Sequence, residues 1–181
     1  MEKLPLLIIV DFQYDFCEPS GALYVQGAEG ARAAIVRLLR SGTVGSVWFT
    51  ADWHCATHPS FRAQGGMWPQ HCVQHTRGAA IHQELIDACI ERAIPYTVTT
   101  KGAYEEEYGA FSTLPPALLQ AVEAGTPIYL CGLAGDYCVI ETLKNIRALN
   151  PRLFMSGISS IDDGSTLARY MAEEGIAAVE E

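Results

Sequence analysis

The stretch "LPLLIIVDF", residues 4–12, is apolar without alternation and then stops on an aspartate. An amphipathic helix or a one-sided strand would show polar residues at regular spacing. A short continuous run reads instead as a strand buried on both faces. Such a strand needs helices above and below it, and the chain supplies them. "AEGARAAIVRLLRSG" places Ala31, Ile35 and Leu38 at helical spacing, with Gly42 as a C-terminal stop. "SVWFTA" reads as a second strand and "PYTVTT", ending at Lys101, as a third. "LPPALLQAVEAG" is a helix with prolines in its first turn, and "PIYLCGL" is a fourth strand. A helix with Val139, Leu143 and Ile146 on one face follows, then "RLFMSGI", the helix "DDGSTLARYMAEEG" and a last short strand, "IAAV". This alternation predicts a three-layer α/β/α fold with a six-stranded, mostly parallel sheet, in a single domain over residues 1–181.

The formal charge of −9 argues against nucleic acid or an anionic membrane as a main partner. The N-terminal apolar run is too short to cross a membrane and has no signal-peptide cleavage pattern. The six cysteines are therefore expected as reduced thiols in the cytoplasm, and no CxxC pair points to a thioredoxin-like motif or a zinc ribbon.

Residues 13–27 and 52–80 break the rhythm, being rich in Gly, Pro, His and aromatic residues. Long irregular stretches in a compact domain are usually functional. Both follow strands, which places them at the carboxyl edge of the sheet, where open α/β proteins bind ligands.

Asp11 follows strand 1, Lys101 follows strand 3 and Cys138 follows strand 4. Singly, each has a plain structural explanation: a turn aspartate, a solvated lysine, a core cysteine. In a parallel sheet they converge, and together they form a chemical unit. A helix start and a nearby cation lower a thiol's pKa, with Asp136 as a candidate N-cap. A carboxylate can take the thiol proton and pass it to a leaving amine. The small residues of "GLAG" before the cysteine could aim backbone N–H groups at an oxyanion.

The segment "DWHCATHPSFRAQGGMWPQHCVQH" holds His54, His58, His71 and His75. Asp52 and His54, two apart, face the same side of an extended segment. With His71 returned by the loop they make an Asp/His/His set suited to Zn²⁺, Fe²⁺ or Mn²⁺ with positions left open. Two readings compete. One is a structural zinc on the pairs His54/His58 and His71/His75, with Cys55 or Cys72; the other is a metal-free loop of hydrogen-bonding histidines. His82, outside the loop in a helical context, reads as structural. Phe16, Trp68 and Tyr108 sit in irregular contexts where they could sandwich a flat ring.

Four motifs, "LLIIVDFQYDFC", "DWH…H…WPQHCVQ", "KGAY…Y…F" and "CGLAGDYCV", occur in this order over residues 5–149. In this the chain resembles the nicotinamidases of the isochorismatase-like cysteine hydrolase superfamily. The resemblance implies a catalytic triad of Asp11, Lys101 and Cys138, and a divalent metal on Asp52, His54 and His71, with His58 a candidate further ligand. It also implies a cis peptide between Leu133 and Ala134, an oxyanion hole from the Ala134 and Cys138 amides, and a ring clamp of Phe16 and Trp68 with Tyr108 nearby. The implied activity is hydrolysis of nicotinamide to nicotinate and ammonia through a thioester, in NAD salvage. The partner would be a small aromatic amide, and a homo-oligomer is compatible with the sequence. Tyr14 and Gly135 depart from the Asn and Thr common in that superfamily.

The nearest alternative is a superfamily amidohydrolase for an N-carbamoyl or ureido compound, which would offer no ring nitrogen to a metal. Isochorismatase itself lacks the nucleophilic cysteine. A signalling receiver domain would carry an aspartate where Lys101 stands, a nucleotide-binding module would carry a Gly-rich turn after strand 1, and a structural metal protein would survive loss of Cys138.

Overall fold

The computed structural model describes residues 3–179. Its six strands are β1 (Leu6–Val10), β2 (Ser46–Asp52), β3 (Tyr96–Lys101), β4 (Ile128–Leu133), β5 (Arg152–Ser159) and β6 (Ala178–Val179). They form one sheet in the order β3-β2-β1-β4-β5-β6, and every pairing is parallel. The helices are α1 (Tyr14–Cys17), α2 (Ala28–Arg40), α3 (Gln83–Glu91), α4 (Pro116–Glu123), α5 (Ile140–Ile146) and α6 (Ser165–Glu174).

β1 is buried at every position because its alternate side chains feed two cores. Leu7 and Ile9 pack with Val47, Phe49 and residues of α2 and α3 on one face. Leu6, Ile8 and Val10 pack with Trp48, Leu130, Leu118 of α4, Leu143 of α5 and Leu167 of α6 on the other. This is the physical reason for the unbroken apolar run: a central parallel strand has no solvent side. In α2 the buried stripe runs through Ala31, Ile35 and Leu39, and Leu38 is only partly buried.

One sequence expectation needs correction, and one helix that the sequence reading did not delimit is added. The stretch from residue 13 is not wholly irregular, since Tyr14–Cys17 forms a short helix. Residues 83–91 add α3, whose N-cap is His82; its ring accepts from the Glu84 N–H. Among the described residues no helix is long and apolar enough to cross a membrane.

The strand order reverses direction beside β1, which lies between β2 and β4. The carboxyl ends of β1 and β4 therefore flank the crevice where doubly wound sheets bind ligands. At this edge Gly132 pairs with Val10 and has φ +127°, and a Cβ there would collide with the Val10 backbone. Only glycine permits so close an approach of the two strands.

Candidate active site

Asp11 leaves β1 in the left-handed region (φ +48°), a conformation that costs a non-glycine residue roughly 1 kcal/mol or more. Its N–H donates to the Thr50 carbonyl at 3.1 Å, and the Thr50 hydroxyl donates to its Oδ1 at 2.7 Å. Lys101 ends β3 directly beside Asp52, its register partner on β2. Its Nζ lies 2.7 Å from Asp11 Oδ2, 2.5 Å from Asp52 Oδ1 and 3.6 Å from Cys138 Sγ. Carboxylate oxygens of Asp11 and Asp52 and the Cys138 sulfur all lie within 4.8 Å of one another. The three strand-end residues predicted to converge do meet, and Asp52 joins them.

Cys138 lies in a π-helical turn, Gly135–Val139, that precedes α5. Asp136 does not cap this helix. Its carboxylate accepts from the N–H groups of Ile161 and Asp162, tying the turn that carries Cys138 to the loop after β5. The peptide between Leu133 and Ala134 is cis.

The electrostatics of this floor follow from burial. Cys138 is held well above the usual thiol range because burial disfavours the thiolate; Lys101 opposes this, while Asp11 and Asp52 reinforce it. Lys101 does pull this thiol down as expected, but burial outweighs it and the net direction is upward. Burial also raises Asp11, against the pull of Lys101 and with help from Asp52. For Asp52 burial pushes up but is outweighed by Lys101 and His54, leaving the carboxyl lowered. Lys101 is penalised by burial yet held well above the usual amine range by Asp11, Asp52 and Cys138.

Asp52 also faces the histidines. Its Oδ2 is 3.4 Å from His54 Nε2 and 3.9 Å from His71 Nε2. His54 Nδ1 donates to the Gly102 carbonyl at 2.8 Å and His71 Nδ1 to the Pro69 carbonyl at 2.7 Å. Each ring thus has Nδ1 engaged by a carbonyl and presents Nε2 toward Asp52, the arrangement a ligating histidine needs. Burial lowers His71 below the usual imidazole range, which keeps it neutral. His58 packs 4.4 Å from His54, ring to ring, and its buried Nε2 has no hydrogen-bond partner. This donor set fits a divalent metal ion. The alternative built on two HxxxH pairs is not assembled, since His75 is exposed beside Trp53 and Cys55 is exposed.

Above the floor lies a cleft of about 540 Å³, counting its open mouth. Ala134 and Cys138 line it together with Phe16, Trp68 and Tyr108. The Trp68 indole N–H donates to the Tyr108 hydroxyl at 3.1 Å, and Tyr137 meets the Trp68 ring edge-on at 5.2 Å. Phe16 tilts against His71 at 5.4 Å.

Several contributors were not read from the sequence. Gln13, fully buried, accepts from the Asp52 N–H at 2.8 Å and donates to the Asp52 and Ala79 carbonyls at 2.7 and 2.9 Å, locking β2's end to β1. A polar residue directly after "VDF" was the available signal. Thr50 carried none, because threonine is ordinary in strands. Tyr137 was signalled only by standing next to Cys138, and Ile161 by nothing local.

Residues 5–155 match the Isochorismatase domain family. The chain is 30% identical over 191 residues to the nicotinamidase/pyrazinamidase of Mycobacterium tuberculosis (strain ATCC 25618 / H37Rv), covering 96% of each protein. It superposes with a TM-score of 0.78 on the PnC1 protein of L. infantum in complex with nicotinate, at 29% identity, covering 97% of this chain and 92% of that one. The pyrazinamidase of Pyrococcus horikoshii in complex with zinc gives a TM-score of 0.77 at 26% identity, covering 99% and 100%. The chain belongs to the isochorismatase family, alongside its nicotinamidase/pyrazinamidase members.

Proposed function

We propose that the protein hydrolyses nicotinamide to nicotinate and ammonia through a thioester on Cys138. The observation that carries this reading is the meeting, under one aromatic wall, of the Asp11/Lys101/Cys138 group with the Asp52/His54/His71 cluster. The relatives whose names include nicotinamidase, and the neighbour that binds nicotinate, support the same substrate.

Burial keeps the proton on the Cys138 sulfur at rest, so attack requires a base in place. Asp11, raised by its own burial, is a stronger base than an exposed carboxylate. The thiol proton passes to Asp11 as sulfur bonds the carboxamide carbon. The carbonyl electron pair moves to oxygen, where the N–H groups of Ala134 and Cys138 receive it. Asp11 returns the proton to the leaving nitrogen, ammonia departs and the acyl group stays on sulfur. Water then loses a proton to Asp11 and attacks the thioester. The C–S bond breaks, Asp11 returns its proton to sulfur, and the product leaves as the carboxylic acid, which gives its proton to solvent to become nicotinate. Lys101, facing Asp11, Asp52 and Cys138 at once, balances the negative charge wherever it resides.

Phe16 and Trp68 hold the ring between them, with Tyr108 fixing the indole. Asp52, His54 and His71 would hold the metal, with His58 a candidate further ligand; when bound, the ion would supply a Lewis-acid site for a ring nitrogen or a water. Zinc suits the donors first, then Fe²⁺ and Mn²⁺. A cytoplasmic location belongs to the same reading.

The test is ammonia release from nicotinamide by zinc-loaded protein, before and after chelation, beside an N-carbamoyl substrate. Release from nicotinamide that falls on chelation and returns with added metal is expected. Release from the carbamoyl compound alone would move the assignment to the ureido-type amidohydrolases.

A further inference from the structure

Residues 102–115 contain no helix or strand, yet they begin at Lys101 and carry Tyr104 and Tyr108 into the cleft. Something must hold this segment against the site. We infer that Glu107 does so, as a positioning residue whose carboxylate latches the turn after Lys101 and, through Gly102, sets the orientation of His54. The inference rests on the metal-binding part of the proposed reading.

Glu107 Oε2 accepts from the N–H of Gly102 at 2.9 Å and from that of Ala103 at 2.7 Å. Two backbone bonds close the same loop, from Glu107 N–H to the Tyr104 carbonyl and from Tyr108 N–H to the Glu106 carbonyl. Gly102 is thereby held on both sides: its N–H faces Glu107 and its carbonyl receives the His54 Nδ1–H at 2.8 Å. The preceding Lys101 carbonyl accepts from Trp53 N–H at 2.9 Å, so the peptide that joins the lysine to the turn is pinned at both its polar atoms.

The turn is pressed against the cluster. Gly102 has φ +82°, and a Cβ there would come within 2.9 Å of His54 Nδ1 and 3.2 Å of Asp52 Oδ1. A shift of this peptide therefore moves the His54 ring or breaks its bond. Glu107 also lines a second cavity, beside His58 and Lys101, as well as the cleft, so its side chain forms part of the partition between the two.

The run Glu105–Glu107 has an ordinary explanation as a solvated charge stretch. Glu105 and Glu106 are exposed and fit it, whereas Glu107 is half-buried with both bonds directed at backbone. Charge-assisted bonds from a carboxylate to two successive N–H groups are the stronger kind. Groups that orient a ligating histidine typically change metal affinity by about 10–100-fold when removed. Glu107 acts one step further out, through a peptide, so the lower end is expected.

The experiment compares Glu107→Ala and Glu107→Gln with the full-length parent. Metal-free protein is titrated with Zn²⁺ alone against a competing chelating dye. The melting temperature of the metal-free form and the kcat and KM of the zinc-loaded form are measured in parallel. Alanine should weaken zinc binding roughly 10-fold and raise KM for nicotinamide, and glutamine, which keeps an acceptor oxygen, should recover most of the loss. Zinc affinity within about twofold of the parent in Glu107→Ala would overturn the inference, even if the melting temperature fell, because that is what a merely structural loop residue does. Glutamine no better than alanine would overturn it too. If alanine does not fold, Glu107→Ser, too short to reach Gly102, takes its place. A parent that binds zinc but leaves nicotinamide intact counts against the proposed substrate alone, and the zinc titration still decides the latch.

Discussion

The floor of the cleft stands on strand ends, whereas its wall is carried by a short helix and two loops, and different forces hold them. Asp11, Asp52 and Lys101 occupy the carboxyl ends of β1, β2 and β3, so sheet register sets their spacing, and all three are buried. Phe16 comes from the short helix α1, whereas Trp68 and Tyr108 come from loops joined by one side-chain bond and are only half-buried. Burial raises Asp11 and Cys138, whereas charged neighbours lower Asp52 and raise Lys101 against their burial, so packing and pairing together set the floor's protonation. The wall lines the open cleft, where it would set which ring enters. Changes to the floor should therefore strike kcat and changes to the wall KM.

The largest effect belongs to the nucleophile. Cys138→Ala should lower ammonia release by at least ~10⁴-fold while the melting temperature stays close to the parent's, since Lys101 keeps both carboxylate partners. Cys131, equally buried inside β4 and raised by burial alone, is the control. Cys131→Ala should keep turnover within a few-fold. Substantial activity in Cys138→Ala would show that the floor's burial is structural and dissolve the division drawn above.

A wall residue should behave differently. Trp68→Ala is expected to raise KM for nicotinamide roughly 10-fold with kcat little changed, the size expected for loss of an aromatic contact. Trp68→Phe keeps a ring but loses the bond to Tyr108, and should fall between the two. Steady-state kinetics on the three proteins would contradict the assignment if kcat dropped and KM held.

The same division explains what could be read from the chain beforehand. The convergence of Asp11, Lys101 and Cys138 was legible because each ends or follows a strand, and parallel strands bring such ends to one edge. The double role of Asp52 was not, because it depends on Asp52 being the register partner of Lys101, which spacing along one strand does not reveal. The thiol's shift was misjudged for a related reason. A helix start and a lysine are visible in sequence and both lower it, but the extent of burial that outweighs them is a property of the packed fold. Asp136 looked like a cap by a local rule, and its carboxylate instead crosses to residues 25 and 26 positions away. His75 matched a metal spacing, but positive φ at Cys72 and at His75 itself accompanies its turn outward. Gln13, Glu107 and Ile161 act through backbone contacts that carry no spacing rule at all.

The smallest effect concerns how the wall is anchored from behind. Glu18, after α1, bonds Arg32 of α2 at 2.8 Å and His82, the cap of α3, at 2.9 Å, so one carboxylate ties the short helix bearing Phe16 to two others. Burial and Arg32 lower His82 below the usual 6.5 despite Glu18, so the fold prefers the neutral ring. Burial raises Glu18 less than its bonds to His82 and Arg32 lower it, so the fold prefers its charged form. The unfolded chain takes up a proton at His82 more readily, so the associated stability is complete above pH 6.5 and declines as pH falls below that value. A Glu18 contribution is present above its usual 4.5 and is lost as pH falls through its lower folded value. The melting temperature of the parent should thus decline on acidification, first through His82 and then through Glu18. His82→Asn keeps a capping oxygen for the Glu84 N–H but cannot titrate, and should flatten the upper part of that decline by roughly 2–4 °C without altering kcat. If the two melting curves ran parallel between neutral pH and pH 5, the short helix would be held by packing rather than by this ionic anchor, and the wall would resemble the floor more closely than the geometry indicates.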